Sequence, residues 1–164
     1  MKYRASVLTI SDKGYAGQRE DLSGPELERL LIEAGFTVVN REILPDERER
    51  VATALKELCD CKSVDLVLTT GGTGLSPRDI TPEATSDVIE RNVPGIPEAM
   101  RAESLKITDM AMLSSGIAGI RGRTLIINMP GSPKAARECF DIIRTVLNHA
   151  METMTGRGGD CGVS

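Results

Sequence analysis

Three stretches of strand-forming residues, at 4–11 (RASVLTIS), 36–44 (FTVVNREIL) and 64–70 (VDLVLTT), alternate with segments whose apolar residues recur at helical spacing. No other feature constrains the fold as much. After the first stretch, Ser23-Gly24-Pro25-Glu26 opens a helix with a capping hydroxyl and a proline in the first turn. Leu27, Leu30, Leu31 and Ala34 follow on one face, and Gly35 ends it. After the second, Pro45-Asp46 begins a helix carrying Val51, Ala54, Leu55 and Leu58. After the third, Thr81-Pro82-Glu83 starts a helix expected to reach about Arg91, and residues 94–115 read as helical but broken by Pro94, Gly95 and Pro97. A further strand at 123–128 (RTLIIN) leads through Pro130-Gly131-Ser132-Pro133 into a helix at 133–149, with Ala136, Phe140, Ile143 and Leu147 inward. Strands separated by helices cannot pair as hairpins. They predict an α/β fold with a mostly parallel sheet and right-handed crossover helices.

The chain of 164 residues is read as one domain, 1–164, with residues 156–164 as a flexible tail. Its net charge of −4 argues against binding nucleic acid through an excess of basic residues. With Tyr3, Tyr15, Phe36 and Phe140 as its only aromatics, the chain lacks base-stacking platforms and must build an aliphatic core. No apolar run approaches the roughly 20 residues of a membrane span. The N-terminus reads as a strand rather than a signal peptide, so a cytoplasmic protein with no membrane partner is expected. Cys59 and Cys61 are too close for an ordinary zinc pair, and one histidine, His149, excludes a histidine-based metal site. His149 falls late in a helical pattern and reads as a helix-face residue.

In such sheets, ligands bind beyond the carboxyl ends of the strands. Those ends carry Ser11-Asp12, Pro45-Asp46, Thr70-Gly71-Gly72-Thr73-Gly74 with Ser76 and Asp79 following, and Asn128-Met129-Pro130-Gly131-Ser132. Glycines permit positive φ and let backbone N–H groups approach an anion. Thr73 and Ser76 add hydroxyls. The run is neither a Walker A loop nor a dinucleotide fingerprint, since no Gly-Lys-Ser/Thr follows and position 77 is Pro. Taken alone it serves equally as a tight strand-to-helix turn. Ser132 and Pro133 open a helix N-terminus that could hold a phosphate or simply be capped. Two such turns side by side suit a ligand with more than one phosphate. Asp12, Asp46 and Asp79 would repel that ligand unless Mg²⁺ lies between, held by one or two carboxylates and by phosphate oxygens. Asp12 could equally close an Asx-turn, Asp46 favour a helix start and Asp79 a turn. Arg78 could pair with phosphate or face solvent.

The string TTGGTGLSPRDITPEAT at 69–85 resembles the signature of the MogA and MoaB family of molybdenum-cofactor biosynthesis, whose domain also occurs in gephyrin and in the plant molybdenum insertase. TISD at 9–12, LPDE at 44–47, VPGIPEAMR at 93–101 and NMPGSPKA at 128–135 extend the resemblance over nearly the whole chain. Pro45-Asp46-Glu47 and Asp79-Ile80-Thr81-Pro82 make it more similar to the MogA branch. The resemblance implies a three-layer sandwich and a molybdopterin adenylyltransferase, which converts molybdopterin and Mg-ATP to adenylylated molybdopterin and pyrophosphate. It implies that Asp46 and Asp79 are the acidic residues tied to activity, and on charge grounds the same two residues, Asp79 first, are the expected holders of Mg²⁺. It also implies that Gly71, Gly72, Thr73, Gly74 and Ser76 form the ligand-binding loop, that Gly131 and Ser132 form a second phosphate-side turn, and that the chain forms a homotrimer; Ser11, Asp12 and Thr70, at the same strand ends, are expected to bind substrate with them. The alternatives are a MoaB-type pterin- or nucleotide-binding protein with little turnover and an interaction protein of gephyrin type.

Overall fold

A computed structural model describes residues 2–156. Six strands form one sheet in the order β2-β1-β3-β6-β5-β4. They are β1 (Arg4–Ile10), β2 (Thr37–Leu44), β3 (Leu66–Thr70), β4 (Arg91–Asn92), β5 (Ala118–Arg121) and β6 (Thr124–Met129). The helices are a single turn α1 (Asp12–Tyr15), α2 (Ser23–Glu33), α3 (Arg48–Asp60), α4 (Thr81–Val88), α5 (Gly95–Leu105) and α6 (Pro133–Met154). A 3-10 turn, Asp109–Leu113, follows α5.

β2, β1, β3 and β6 are parallel, and β5 and β4 add an antiparallel edge. The side chains of each strand alternate between two apolar layers. Ala5, Val7, Leu66, Leu68, Leu125 and Ile127 pack with Leu27 and Leu31 of α2, Met100 of α5, and Phe140, Ile143 and Leu147 of α6. Leu8, Ile10, Val67 and Ile126 pack on the other face with Val51, Leu55 and Leu58 of α3 and Ala84 and Val88 of α4. The sheet is therefore sandwiched between helices, the architecture expected. Each fully buried Leu, Ile or Phe contributes roughly 1.5–3 kcal/mol, enough for aliphatic side chains to carry the core without tryptophan.

Four local expectations need correction. The helix from Thr81 ends at Val88, because Arg91 and Asn92 pair with Ile120 and Gly119 as β4. The region 94–115 is helical and broken as expected, holding α5 and the 3-10 turn, but the strand that follows it, β5, was not expected and makes a hairpin with β6. α2 is capped by Asp21 and not by Ser23: Gly24 N–H donates to Asp21 Oδ1 at 3.0 Å. α3 starts at Arg48 with extended Glu47 before it, so Asp46 is outside the helix. Beyond Gly156, the expected tail lies outside the described residues.

Candidate functional site

The parallel register brings the strand ends level. Thr9 of β1 pairs with Thr70 of β3, Thr70 with Met129 of β6, and Ile10 with Leu44 of β2. Four loops therefore leave the sheet along one edge.

The loop after β3 begins with Gly71 at φ +93° and Gly72 at φ +69°. A side chain on Gly71 would run into the carbonyl oxygen of Ile10, so both the turn and the space require glycine. The carbonyls of both glycines point at the start of α4. Thr81 Oγ1 donates to Gly71 O at 2.9 Å and Thr81 N–H to Gly72 O at 3.1 Å. Because each peptide is planar and trans, the N–H groups of Gly72 and Thr73 face away from that helix. Farther on, Asp79 Oδ2 accepts Ser76 N–H and Asp79 N–H returns to Ser76 O, both at 2.9 Å. Ser76 thus shapes the loop around Asp79.

The turn after β6 is locked against this loop. Thr70 Oγ1 donates to Pro130 O at 2.7 Å, and a methyl on Gly131 would sit 3.2 Å from the Cα of Gly71. Ser132 caps α6, its Oγ accepting Ala135 N–H at 3.1 Å with Pro133 in the first turn. Ser11 caps α1 by accepting Gly14 N–H at 3.0 Å. Beneath the edge, Asn128 donates to Thr69 Oγ1 (3.0 Å) and Thr85 Oγ1 (2.9 Å) and accepts Ile117 N–H (3.1 Å), joining β6, β3, α4 and the entry to β5.

Asp12 and Asp46 are interlocked. Asp12 N–H donates to Asp46 Oδ2 at 2.8 Å and Asp46 N–H to Asp12 Oδ1 at 2.9 Å. Arg78 forks onto Asp12 through Nε and Nη2 at 2.8–3.0 Å. Partial burial pulls Asp12 upward, but the Arg78 hydrogen bonds, the Asp46 N–H and the guanidinium charge outweigh it and hold its carboxyl below the usual range. Asp46 goes the other way. Burial raises it, the Asp12 N–H counters in part, and the negative charges of Asp12 and Asp79 raise it further.

Two cavities flank the glycine loop. A polar cleft of about 530 Å³ is lined by Ser11, Asp46, Thr70, Gly71, Gly72, Asp79, Gly131 and Ser132, together with Thr9, Arg19, Glu20 and Asp21. A mostly apolar pocket of about 330 Å³ lies on the other side of Thr73 and Gly74, with Met100, Ser104, Met110, Leu113, Ala135 and Glu138 in its wall. Most of the residues singled out in the sequence thus meet in one cleft. Thr73 and Gly74 face the second pocket, while Asp12 and Ser76 line neither cavity and instead hold Asp46 and Asp79. His149 is exposed on α6 and lines neither cavity.

Sequence reasoning missed Arg19, Glu20 and Asp21. Asp21 accepts Thr9 Oγ1 at 2.8 Å while capping α2, so it ties the cleft wall to β1. An aspartate three residues before Gly24 was a readable capping signal. Arg19 and Glu20 carry no motif. The cleft wall holds the carboxylates of Glu20, Asp21, Asp46 and Asp79 against one cation, Arg19. Among the described residues, no group of three or more His, Cys, Asp or Glu could hold a metal ion. This donor set fits a hard cation that takes most of its oxygen ligands from phosphate and water and only one or two from protein.

Level parallel strands, helix N-termini and glycine turns meet at one edge of this α/β fold, the edge at which parallel sheets place their ligand sites. Residues 6–149 match the family model described as "probable molybdopterin binding domain", and the chain belongs to that family. It is 43% identical over 152 residues to the molybdopterin adenylyltransferase of Helicobacter pylori strain J99, covering 92% of this chain and 86% of that protein. It is 44% identical to the molybdenum cofactor synthesis protein cinnamon of Drosophila melanogaster, covering 88% of this chain but only 24% of that longer protein. Among solved structures, the molybdopterin biosynthesis enzyme MoaB of Thermus thermophilus superposes with a TM-score of 0.89 at 47% identity, over 94% of this chain and 97% of that one.

Proposed function

We propose that this chain is a molybdopterin adenylyltransferase that transfers AMP from Mg-ATP to the terminal phosphate of molybdopterin and releases pyrophosphate. The observation that carries this reading is the pairing of a polar cleft, edged by Asp46, Asp79 and two glycine turns, with an apolar pocket just across Thr73 and Gly74. Such a pair suits two anionic substrates that must meet at their phosphates. The apolar pocket is of a size to take a planar base, with Glu138 and Ser104 as polar partners in its wall.

The nucleophile is a phosphate oxygen already ionised near neutral pH, so no general base is required. The chain's task is positioning and charge neutralisation. The N–H groups of Gly72 and Thr73 and the N-terminus of α6 behind Ser132 supply fixed dipoles for phosphate oxygens. Asp46 and Asp79 would hold Mg²⁺. When bound, that ion neutralises charge between the two anions and polarises the phosphorus under attack. A homotrimer belongs to the same reading, supported by Ile107, Met110 and Met112, each at least 60% exposed beside the apolar pocket.

The test is pyrophosphate release from ATP in the presence of molybdopterin. Asp79→Asn should lower the rate by at least about 100-fold at saturating Mg-ATP. An unchanged rate would remove Asp79 from the reaction. The alternative, a MoaB-type binding protein with little or no turnover, would bind the ligands and release no pyrophosphate.

A further inference from the structure

We propose that Arg78 is a positioning residue that fixes Asp46 through Asp12; this rests on the adenylyltransferase reading above. Arg78 precedes Asp79 in the glycine loop but is not among the residues lining the cleft. Its guanidinium is committed to Asp12: Nε reaches Oδ2 at 3.0 Å, and Nη2 lies 2.9 Å from Oδ1 and 2.8 Å from Oδ2. The same Oδ1 accepts the Asp46 N–H, and the Asp12 N–H holds Asp46 Oδ2. The two aspartates therefore close a ring, each carboxylate gripping the other's backbone.

Two adjacent carboxylates repel, and the Arg78 guanidinium, forked onto Asp12, places a positive charge beside the pair. The ring commits Oδ2 of Asp46 to structure. The other oxygen, Oδ1, is left beside the glycine loop, 3.4 Å from where a methyl on Gly72 would lie. Arg78 thus steadies the orientation of the Asp46 carboxylate indirectly, by holding the Asp12 to which Asp46 is bonded. Through Asp12 it also links the loops after β1, β2 and β3, whose strand ends the register has already brought level. The geometry calls for arginine. A lysine keeps the charge but cannot present two N–H groups in a fixed fork.

The experiment compares Arg78→Gln, Arg78→Lys, Asp12→Asn and the Arg78→Gln/Asp12→Asn double variant of the full chain. Amide hydrogen exchange is followed by NMR alongside pyrophosphate release. In Arg78→Gln, the Asp12 and Asp46 amides should exchange about fivefold faster, as loss of an exposed forked ion pair allows. In the same variant kcat should fall about tenfold, as when the hydrogen-bond partner of a ligating carboxylate is lost, with KM for ATP within about twofold of wild type. Arg78→Lys should fall between Arg78→Gln and wild type, and the double variant should be no worse than Asp12→Asn alone. A raised KM for ATP with unchanged Asp46 exchange, or losses that add in the double variant, would overturn the proposal in favour of a direct grip on phosphate. No change in either readout would make the pair a solvent contact and overturn it as well. If wild type itself releases no pyrophosphate, the adenylyltransferase reading fails, while the exchange data still decide whether Arg78 orders Asp46.

Discussion

Asn128→Ala removes a buried amide that the chain uses as a junction. Asn128 is 2% exposed and makes three side-chain hydrogen bonds: to Thr69 Oγ1, to Thr85 Oγ1 and from Ile117 N–H. At a net 0.5–1.5 kcal/mol each, their loss comes to about 1.5–4.5 kcal/mol. The orphaned Ile117 N–H is only half-buried and can turn to water, and Thr85 keeps its own donation to Thr81 O. Those two points lower the cost, while the fully buried Thr69 hydroxyl, which loses its Asn128 partner, raises it, and the balance is about 2–3 kcal/mol. For a chain of this length the melting temperature should fall by about 5–10 °C. Thermal and urea denaturation of wild type, Asn128→Ala and Thr69→Val would measure it. Thr69→Val removes one of the three contacts and should lose roughly a third as much. A melting temperature for Asn128→Ala within about 2 °C of wild type would refute the argument that this junction holds β6, β3 and α4 together beneath the site.

Gly71→Ala should destabilise by at least about 2 kcal/mol and abolish turnover, because a Cβ at φ +93° meets the Ile10 carbonyl; denaturation together with pyrophosphate release would check both. Asp46 titrates above the usual aspartate range, so its ionised form is lost on acidification earlier than an ordinary aspartate's. The acid limb of kcat/KM should therefore move to lower pH as Mg²⁺ is raised, and a limb indifferent to Mg²⁺ would speak against Asp46 as its ligand. Stability has the opposite sign. Folded Asp46 retains its proton to higher pH than unfolded Asp46, so wild type should lose stability relative to Asp46→Asn as pH rises from the unfolded to the raised folded pKa, and be level above it.

The parts of the fold that were legible in the sequence are those where one physical signal dominates. Leu66–Thr70 and Thr124–Met129 are buried on both faces and read as unbroken strand-forming runs. α6 shows its apolar stripe and its Ser132-Pro133 start without ambiguity. Ala118–Arg121 was not legible, since four residues with a glycine inside carry no period and owe their strand to pairing with β6. Arg91 and Asn92 likewise become a strand only because Ile120 and Gly119 lie opposite. At the site, residue types at strand ends indicated the cleft, but their division of labour needed the third dimension. Asp12 and Asp46 look alike in sequence; one is fully engaged by Arg78 and Asp46, and the other lines the cleft. Arg78 could not be assigned from its neighbours because its partner is 66 residues away.

The level termination of β1, β3 and β6 makes the alignment of this edge stepwise. A strand can move along its neighbour only by whole residues, about 3.3 Å at a time, and each odd step turns every side chain to the opposite layer. Thr70 cannot drift slightly toward or away from Pro130; it holds its present rung, or moves a whole rung and inverts the core, or moves two and leaves its loop by about 7 Å. Gradual adjustment of this protein's chemistry is therefore confined to the segments between rungs, where the glycine loop and the Asp12–Asp46 ring can be remodelled without disturbing the ladder.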